Sequence, residues 1–385
     1  MSLYETKPSP KIHFGPGAIW TVDSEVLRIG AKRVLIVTDS GIMQVGHPGN
    51  LRLHLEEQGC QVEIFDKVVE NPTTKTVAQC VEAAKDFGTE LLIGLGGGSS
   101  LDTAKGCNFI LTNGGQMQDY WGYGKASKPM LPLIAIPTTA GTGSECQSYA
   151  LISDAKTHMK MACGDPKALP AVSILDPELT LTQPHFVGAC TGIDALSHAI
   201  ESAVTLRRTP FSSIYSRESF RLLQENLETV FDEPTNLEAR GQVLLGAAYA
   251  GIAIENSMLG CAHSAANPLT AHYGTVHGIA VGLTLPHAMT YNSKDPEALT
   301  IYARLALESR LINRDSSEQE AFEALHARVV ELLKKVEFPL TLRELKVDES
   351  DIPTLAKEAS AQWTAQFNPR PITEEDFVQF YQNAF

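Results

Sequence analysis

Between residues 31 and 145 short apolar runs alternate with helix-spaced segments, and that alternation restricts the fold more than any other feature of the chain. AKRVLIVTDSG, from Ala31, is a β-branched run closed by Asp, Ser and Gly, the pattern of a buried strand entering a turn. A helix-like segment follows at 50–58, then QVEIFDKV as a second strand, then TTKTVAQCVEAAKDFG as a helix with Gly88 as its stop. ELLIGLGGGSS and LPLIAIPTTAGTGSE supply a third and a fourth strand. Strands that alternate with helices build βαβ units, so the expectation is a parallel sheet.

After about Pro184 the texture changes. Segments 186–204, 211–230, 235–260, 262–290, 294–308 and 316–336 are alanine- or leucine-rich with helical spacing, which predicts an all-helical second half. A chain of 385 residues exceeds what one hydrophobic core usually serves, so two domains are expected: an α/β domain at 1–184 and a helical domain at 185–385. The LTLTQP linker marks the join.

The formal net charge of -14 has the wrong sign for gripping a phosphate backbone, which argues against a nucleic-acid partner. No apolar run reaches the ~20 residues that span a bilayer, and MSLYETKPSPKIHFGPG lacks the apolar centre of a signal peptide, so the expected location is cytoplasmic, without a membrane partner. Seven cysteines form no CxxC pair and read as buried, reduced thiols.

GLGGGSSLDTAKG ends its strand on Gly94, Gly96, Gly97 and Gly98, with Ser99 and Ser100 placed before the next helix. Glycines let backbone N–H groups approach a ligand, and a helix N-terminus favours an anion such as a pyrophosphate. The competing reading is a tight connection. PTTAGTGSE brings Thr138, Thr139 and Thr142 to the end of the next strand, or is simply a polar loop. Two such loops at successive strand ends favour a nucleotide. Asp39, closing the first strand, suits a ribose hydroxyl and would repel a 2′-phosphate, favouring NAD over NADP; a turn former is the alternative.

In the helical half, TGIDALSHAIESA at 191–203 reads as an amphipathic helix with Asp194 and His198 four residues apart on one face. GCAHSAANPLTAHYGTVHG adds His263, His272 and His277. Three imidazoles and a carboxylate would suit Fe²⁺, Zn²⁺ or Mn²⁺, whereas an Asp-xxx-His pair alone is commonly a surface pair.

These residues carry a resemblance to the iron-containing (group III) alcohol dehydrogenases, which have a dehydroquinate synthase-like fold. The matching pieces are FGPGA at 14–18, VTD at 37–39, NPT at 71–73, GGGSSLDTAK at 96–105, IPTTAGTGSE at 136–145, TGIDALSHAIE at 191–201, the histidine block at 263–277, LPH at 285–287 and NPRPIT at 368–373. The resemblance implies a divalent metal, typically iron, on Asp194, His198, His263 and His277. It implies NAD(P) at Asp39, Asn71, Gly96, Gly97, Gly98, Ser99, Asp102, Thr138, Thr139, Thr142 and Lys160. The activity it implies is reversible hydride transfer between a primary or secondary alcohol and the nicotinamide, in a cleft between the domains, by a homodimer or larger homo-oligomer. Tyr149, Ile254 and Trp363 would line an apolar substrate pocket or belong to the core.

Asn267 departs from the family, many of whose members carry a proton-relaying His there. His272 either replaces that acid–base group or is a helix histidine bonded away from the metal. The rival functions are a glycerol-type dehydrogenase, a maleylacetate reductase-like enzyme, and a catalytically silent nucleotide-binding homologue. The absence of Lys and Arg from 191–204 and 255–280 argues against a phosphorylated substrate.

Overall fold

The computed structural model describes residues 4–157 and 159–385, which form two compact units: Pro8–Gln183, and Pro184–Phe385 together with residues 4–7. In the first unit the strands are β1 (Lys11–Phe14), β2 (Arg33–Asp39), β3 (Gln61–Val68), β4 (Leu91–Gly96), β5 (Gly122–Tyr123), β6 (Leu133–Pro137), β7 (Tyr149–Ser153), β8 (Lys160–Gly164) and β9 (Val172–Leu175). Its helices are α1 (Val22–Ile29), α2 (Ser40–Val45), α3 (His47–Glu57), α4 (Thr74–Phe87) and α5 (Gly98–Asn113). Six strands make one parallel sheet in the order β1-β9-β6-β4-β2-β3.

Alternate residues of each central strand serve opposite faces of this sheet. Leu35, Val37, Leu92 and Leu133 pack with Val77, Cys80 and Val81 of α4 and Ala104 and Cys107 of α5. Val34, Ile36, Leu91, Ile93 and Ile134 pack with Val22 and Val26 of α1 and Leu51 and Leu55 of α3. Burial on both faces explains why these strands read as continuous apolar runs; each such side chain contributes roughly 1.5–3 kcal/mol. The chain passes from β2 out to β3 and returns to β4 on the other side of β2, so strand order reverses between β2 and β4. Ligands of doubly wound sheets bind at the carboxyl ends of strands flanking such a reversal. Here those ends are Asp39 and Gly96.

A second sheet, β5-β8-β7, was not expected, and its β7–β8 pair is antiparallel. Nor were β1 and β9, whose four residues each are too short for a period to declare itself.

The second unit holds α6 (His185–Val204), α7 (Pro210–Asp232), α8 (Leu237–Glu255), α9 (Cys261–Tyr273), α10 (His277–Asn292), α11 (Pro296–Glu308), α12 (Glu318–Lys335), α13 (Ile352–Ser360) and α14 (Glu374–Asn383). No strand of the described residues falls in it. Two expectations need correction. The 191–203 helix is not amphipathic: α6 is buried all round from Gly192 to Val204, because α7, α8, α10 and α11 pack against it. The expected 262–290 helix is two helices, because Gly274 ends α9 in the left-handed conformation (φ 63°) and α10 restarts at His277. No helix among the described residues is long and apolar enough to cross a membrane.

Candidate functional site

One face of α6 carries Asp194, His198 and Glu201, at i, i+4 and i+7. α9 contributes His263, and α10 contributes His277 from its first position. Gly278 lets α10 come close: a Cβ there would lie 2.2 Å from the Cys190 carbonyl oxygen on α6. Thr284 of α10 donates to the Ala262 carbonyl (2.9 Å), tying α10 to the start of α9.

The result is convergence on one oxygen. Asp194 Oδ1 lies 3.4 Å from His198 Nε2, 3.4 Å from His263 Nε2 and 3.8 Å from His277 Nε2. Ligand atoms of Asp194, His263 and His277 all lie within 4.8 Å of one another, and the His198 ring stacks on His263 with centroids 4.8 Å apart. Asp194 Oδ1 and His263 Nε2 are buried and enter no hydrogen bond among the described residues. Each polar group left so costs about 1–3 kcal/mol, a cost that a shared cation would remove. Three imidazole nitrogens and one carboxylate oxygen are also a donor set suited to Fe²⁺ or Zn²⁺, so the residues present fit a divalent ion.

The electrostatics agree with that fit. Burial acts to raise the Asp194 carboxyl, but His198, His263 and His277 outweigh it and hold it below the usual carboxylate range. Burial likewise acts to lower the His263 imidazole, yet the Glu201 and Asp194 carboxylates overcome it and push it up to about 9. The cluster attracts positive charge. Glu201 was not singled out from the sequence, although it sits in the same helical stripe as Asp194 and His198. It is buried; Oε1 accepts from Ala262 N (2.8 Å), and Oε2 accepts from His263 Nδ1.

Asn267 lies one helical turn beyond His263, and its Nδ2 donates to Gln362 Oε1 (3.0 Å). His272 is not brought to the cluster. It is exposed near the end of α9, with Nε2 2.9 Å from Glu358 Oε2 on α13, which matches a histidine bonded away from the metal rather than a replacement acid–base group.

In the first unit, helix α5 starts at Gly98, so Ser99 and Ser100 belong to its first turn rather than preceding it. Gly97 is the N-cap without a side-chain cap, and the first turn carries no acidic residue, so its leading N–H groups suit an anion. A Cβ on Gly96 (φ +149°) would lie 2.5 Å from Ser100 Oγ, and one on Gly98 would lie 2.7 Å from Thr142 Cγ2. Gly94 serves packing instead: a Cβ there would meet Leu101 of α5 at 2.9 Å. Asp39 Oδ1 caps α2 through Gly41 N (2.9 Å) and Ile42 N (3.0 Å), while Oδ2 faces Ser100 Oγ (3.4 Å) and the glycine turn.

Thr138 is buried at the end of β6, whereas Thr139 and Thr142 are half-buried, with Thr139 Oγ1 3.5 Å from where a Gly97 Cβ would stand. Asn71 is exposed with φ 50°, a conformation Asn tolerates better than most residues. Asp102 keeps both oxygens inside the protein, accepting from Ser144 Oγ (2.6 Å) and Leu151 N (3.1 Å). Burial raises its carboxyl, against the pull of Lys105 and, more weakly, of Lys160 at the start of β8. Lys105, fully buried and also missed, donates to Ser144 O (2.6 Å), Ser144 Oγ (2.7 Å) and Tyr149 O (2.9 Å), locking the threonine loop to α5. Beside it burial, aided by Asp102, pushes the Glu145 carboxyl up to about 7. Tyr149 packs its ring on Tyr123 (5.6 Å); Ile254 is buried; Trp363 is partly exposed against Phe367.

The profile of the iron-containing alcohol dehydrogenases matches residues 9–177, and that of the family's C-terminal domain matches 188–385. The NAD-dependent methanol dehydrogenase of Bacillus methanolicus is 35% identical over 378 residues, covering 97% of this chain and 98% of that protein. The lactaldehyde reductase of Escherichia coli (strain K12) is 33% identical over 374 residues, 97% of each chain. A solved structure of 1,3-propanediol oxidoreductase superimposes with a TM-score of 0.94 at 31% identity over 100% of both chains. Matches that run the length of both units, on the same architecture, place this chain in the iron-containing alcohol dehydrogenase family, as an oxidoreductase that interconverts alcohols and aldehydes.

Proposed function

We propose that Asp194, His198, His263 and His277 hold Fe²⁺, that the glycine turn holds NAD, and that the substrates are small primary alcohols, diols and their aldehydes. The observation that carries the reading is the convergence of three imidazole nitrogens on Asp194 Oδ1, with Asp194, His198 and His263 buried and His277 half-buried. A bound ion of this kind supplies Lewis-acid polarisation of an alcohol or carbonyl oxygen, while the nicotinamide takes or gives the hydride.

The chain's own residues do the rest. Gly96, Gly97 and Gly98, with Ser99 N–H in the first turn of α5, receive the pyrophosphate; Asp39 Oδ2 takes a ribose hydroxyl and discourages NADP. Thr139, Thr142, Asn71 and Lys160 border the nucleotide, whereas Thr138 and Asp102 act from behind, Asp102 through Ser144. Asn267 has no titratable proton, so it contributes a fixed amide one turn from His263. Small substrates fit the names of the relatives, methanol, lactaldehyde and propanediol enzymes. No Lys or Arg in 191–204 or 255–280 stands ready for a phosphate. A cytoplasmic homodimer or larger homo-oligomer completes the reading, and seven free thiols suit a reducing compartment.

The test is anaerobic reconstitution with iron, followed by NAD⁺ reduction across methanol, ethanol, the propanediols and longer alcohols. Iron-dependent NADH formation, strongest for short substrates, is the expected result. Bound iron with no turnover on any alcohol or aldehyde would overturn the reading.

A further inference from the structure

Glu201 lies behind the candidate ligands rather than among them, and its position is unusually constrained. It is 2% exposed, three residues after His198 on α6 and on the face that carries Asp194. Its two oxygens serve α9, which starts without a side-chain cap from Gly260. Oε1 accepts from Ala262 N (2.8 Å), while the neighbouring Cys261 N donates to Asn368 Oδ1 (3.1 Å). Gly260 is required by this arrangement: a Cβ there would stand 2.8 Å from Asn368 Oδ1 and 3.2 Å from Glu201 Oε1. Oε2 accepts from Nδ1 of His263, the next residue along.

A carboxylate can only accept, so Nδ1 must carry the proton, and a singly protonated ring then offers its lone pair at Nε2. That atom is the one that faces Asp194 Oδ1. From this geometry we infer that Glu201 is a positioning residue for metal binding: it fixes the tautomer and ring orientation of His263 while anchoring the start of α9. The inference rests on the metal reading given above. Carboxylates placed behind ligating histidines fix ring orientation and increase ligand basicity.

Glu201→Gln separates the two duties. The amide oxygen still accepts from Ala262 N, but the NH₂ group donates to Nδ1 and drives the ring proton onto Nε2, where it blocks the ion. The measurement is the dissociation constant of Zn²⁺, by chelator competition, for the full-length wild-type, Glu201→Gln and Asp194→Ala proteins, with thermal unfolding of each metal-free form as the control for folding. The expected result is about 10–100-fold weaker Zn²⁺ binding in Glu201→Gln, with metal-free unfolding close to wild type. Wild-type protein that binds Zn²⁺ while Glu201→Gln binds it equally well overturns the inference and leaves the metal reading intact. Wild-type protein that binds no Zn²⁺ overturns both.

If Glu201→Gln fails to fold, ¹⁵N spectra of histidine-labelled, Zn²⁺-loaded wild-type protein decide the matter. Protonated Nδ1 and metal-shifted Nε2 at His263 support the inference, and the reverse assignment defeats it.

Discussion

The two candidate sites are built from opposite materials. In Pro8–Gln183 the ligand surface is mostly backbone: glycines where a Cβ does not fit, a bare helix N-terminus, and one carboxylate at a strand end. In the helical unit it is all side chain, gathered from α6, α9 and α10 into the interior. A backbone site is encoded within a few consecutive residues and fails through added atoms. A side-chain site is encoded across distant helices and fails through removed ones.

Removing an atom should therefore cost most where side chains hold the ligand. Asp194→Ala is expected to bring bound iron below about a tenth of the protein concentration and cut turnover by at least about 10³, since a Lewis acid contributes several kcal/mol. Metal analysis and NADH absorbance read the two losses. NADH affinity in the same variant should stay within about twofold, and a large loss there would show that the two sites are not separate.

Glu145 tests the side-chain support beneath the backbone site. Its native carboxyl titrates at about 7, above the roughly 4.3 of an unfolded chain. Between those values the native state keeps the proton and the unfolded state has lost it, so stability declines as pH rises through the window and is flat above it. Glu145→Gln abolishes the decline. At pH 8 it should be more stable than the parent by up to roughly 4 kcal/mol, and so melt at a higher temperature, with the gap closing toward pH 5. Calorimetric melts at both pH values settle the sign.

Adding one methyl is the next effect in size. Gly96→Ala places a Cβ against Ser100 Oγ at an unfavourable φ, and NADH should bind at least about tenfold more weakly, or about 1.4 kcal/mol. Iron content should not change; a fall would show that the glycine turn and the histidine cluster do not fail independently. Smallest of all is His272→Ala, which breaks an exposed pair with Glu358 and should alter stability by about 0–1 kcal/mol, with the acidic limb of the pH–rate profile unmoved. A displaced limb would return an acid–base role to His272.

Local signals carried the sequence reading as far as they reach. Strands β2, β4 and β6 declared themselves because burial on both faces removes polar interruptions, and Gly88 marked the end of α4 as expected. The pairing of Asp194 with His198 followed from helical spacing. The break at Gly274 was missed although the glycine stands in plain view, because the apolar periodicity on either side continued across it. Lys105 and Glu201 could not be recognised as buried, since their partners, Ser144 and His263, come from distant segments. His272 lies close to the metal histidines in sequence, yet its partner, Glu358, is on α13.

The break between helices α9 and α10 also bears on how the second unit is held together. The candidate donors run from Asp194 on α6 to His277 at the first position of α10, 83 positions apart in the sequence. Small metallo-domains can use their ion as a nucleus for folding. The ion proposed for this site would instead draw its donors from three separate helices, so binding it would tie the packing of α6, α9 and α10 together.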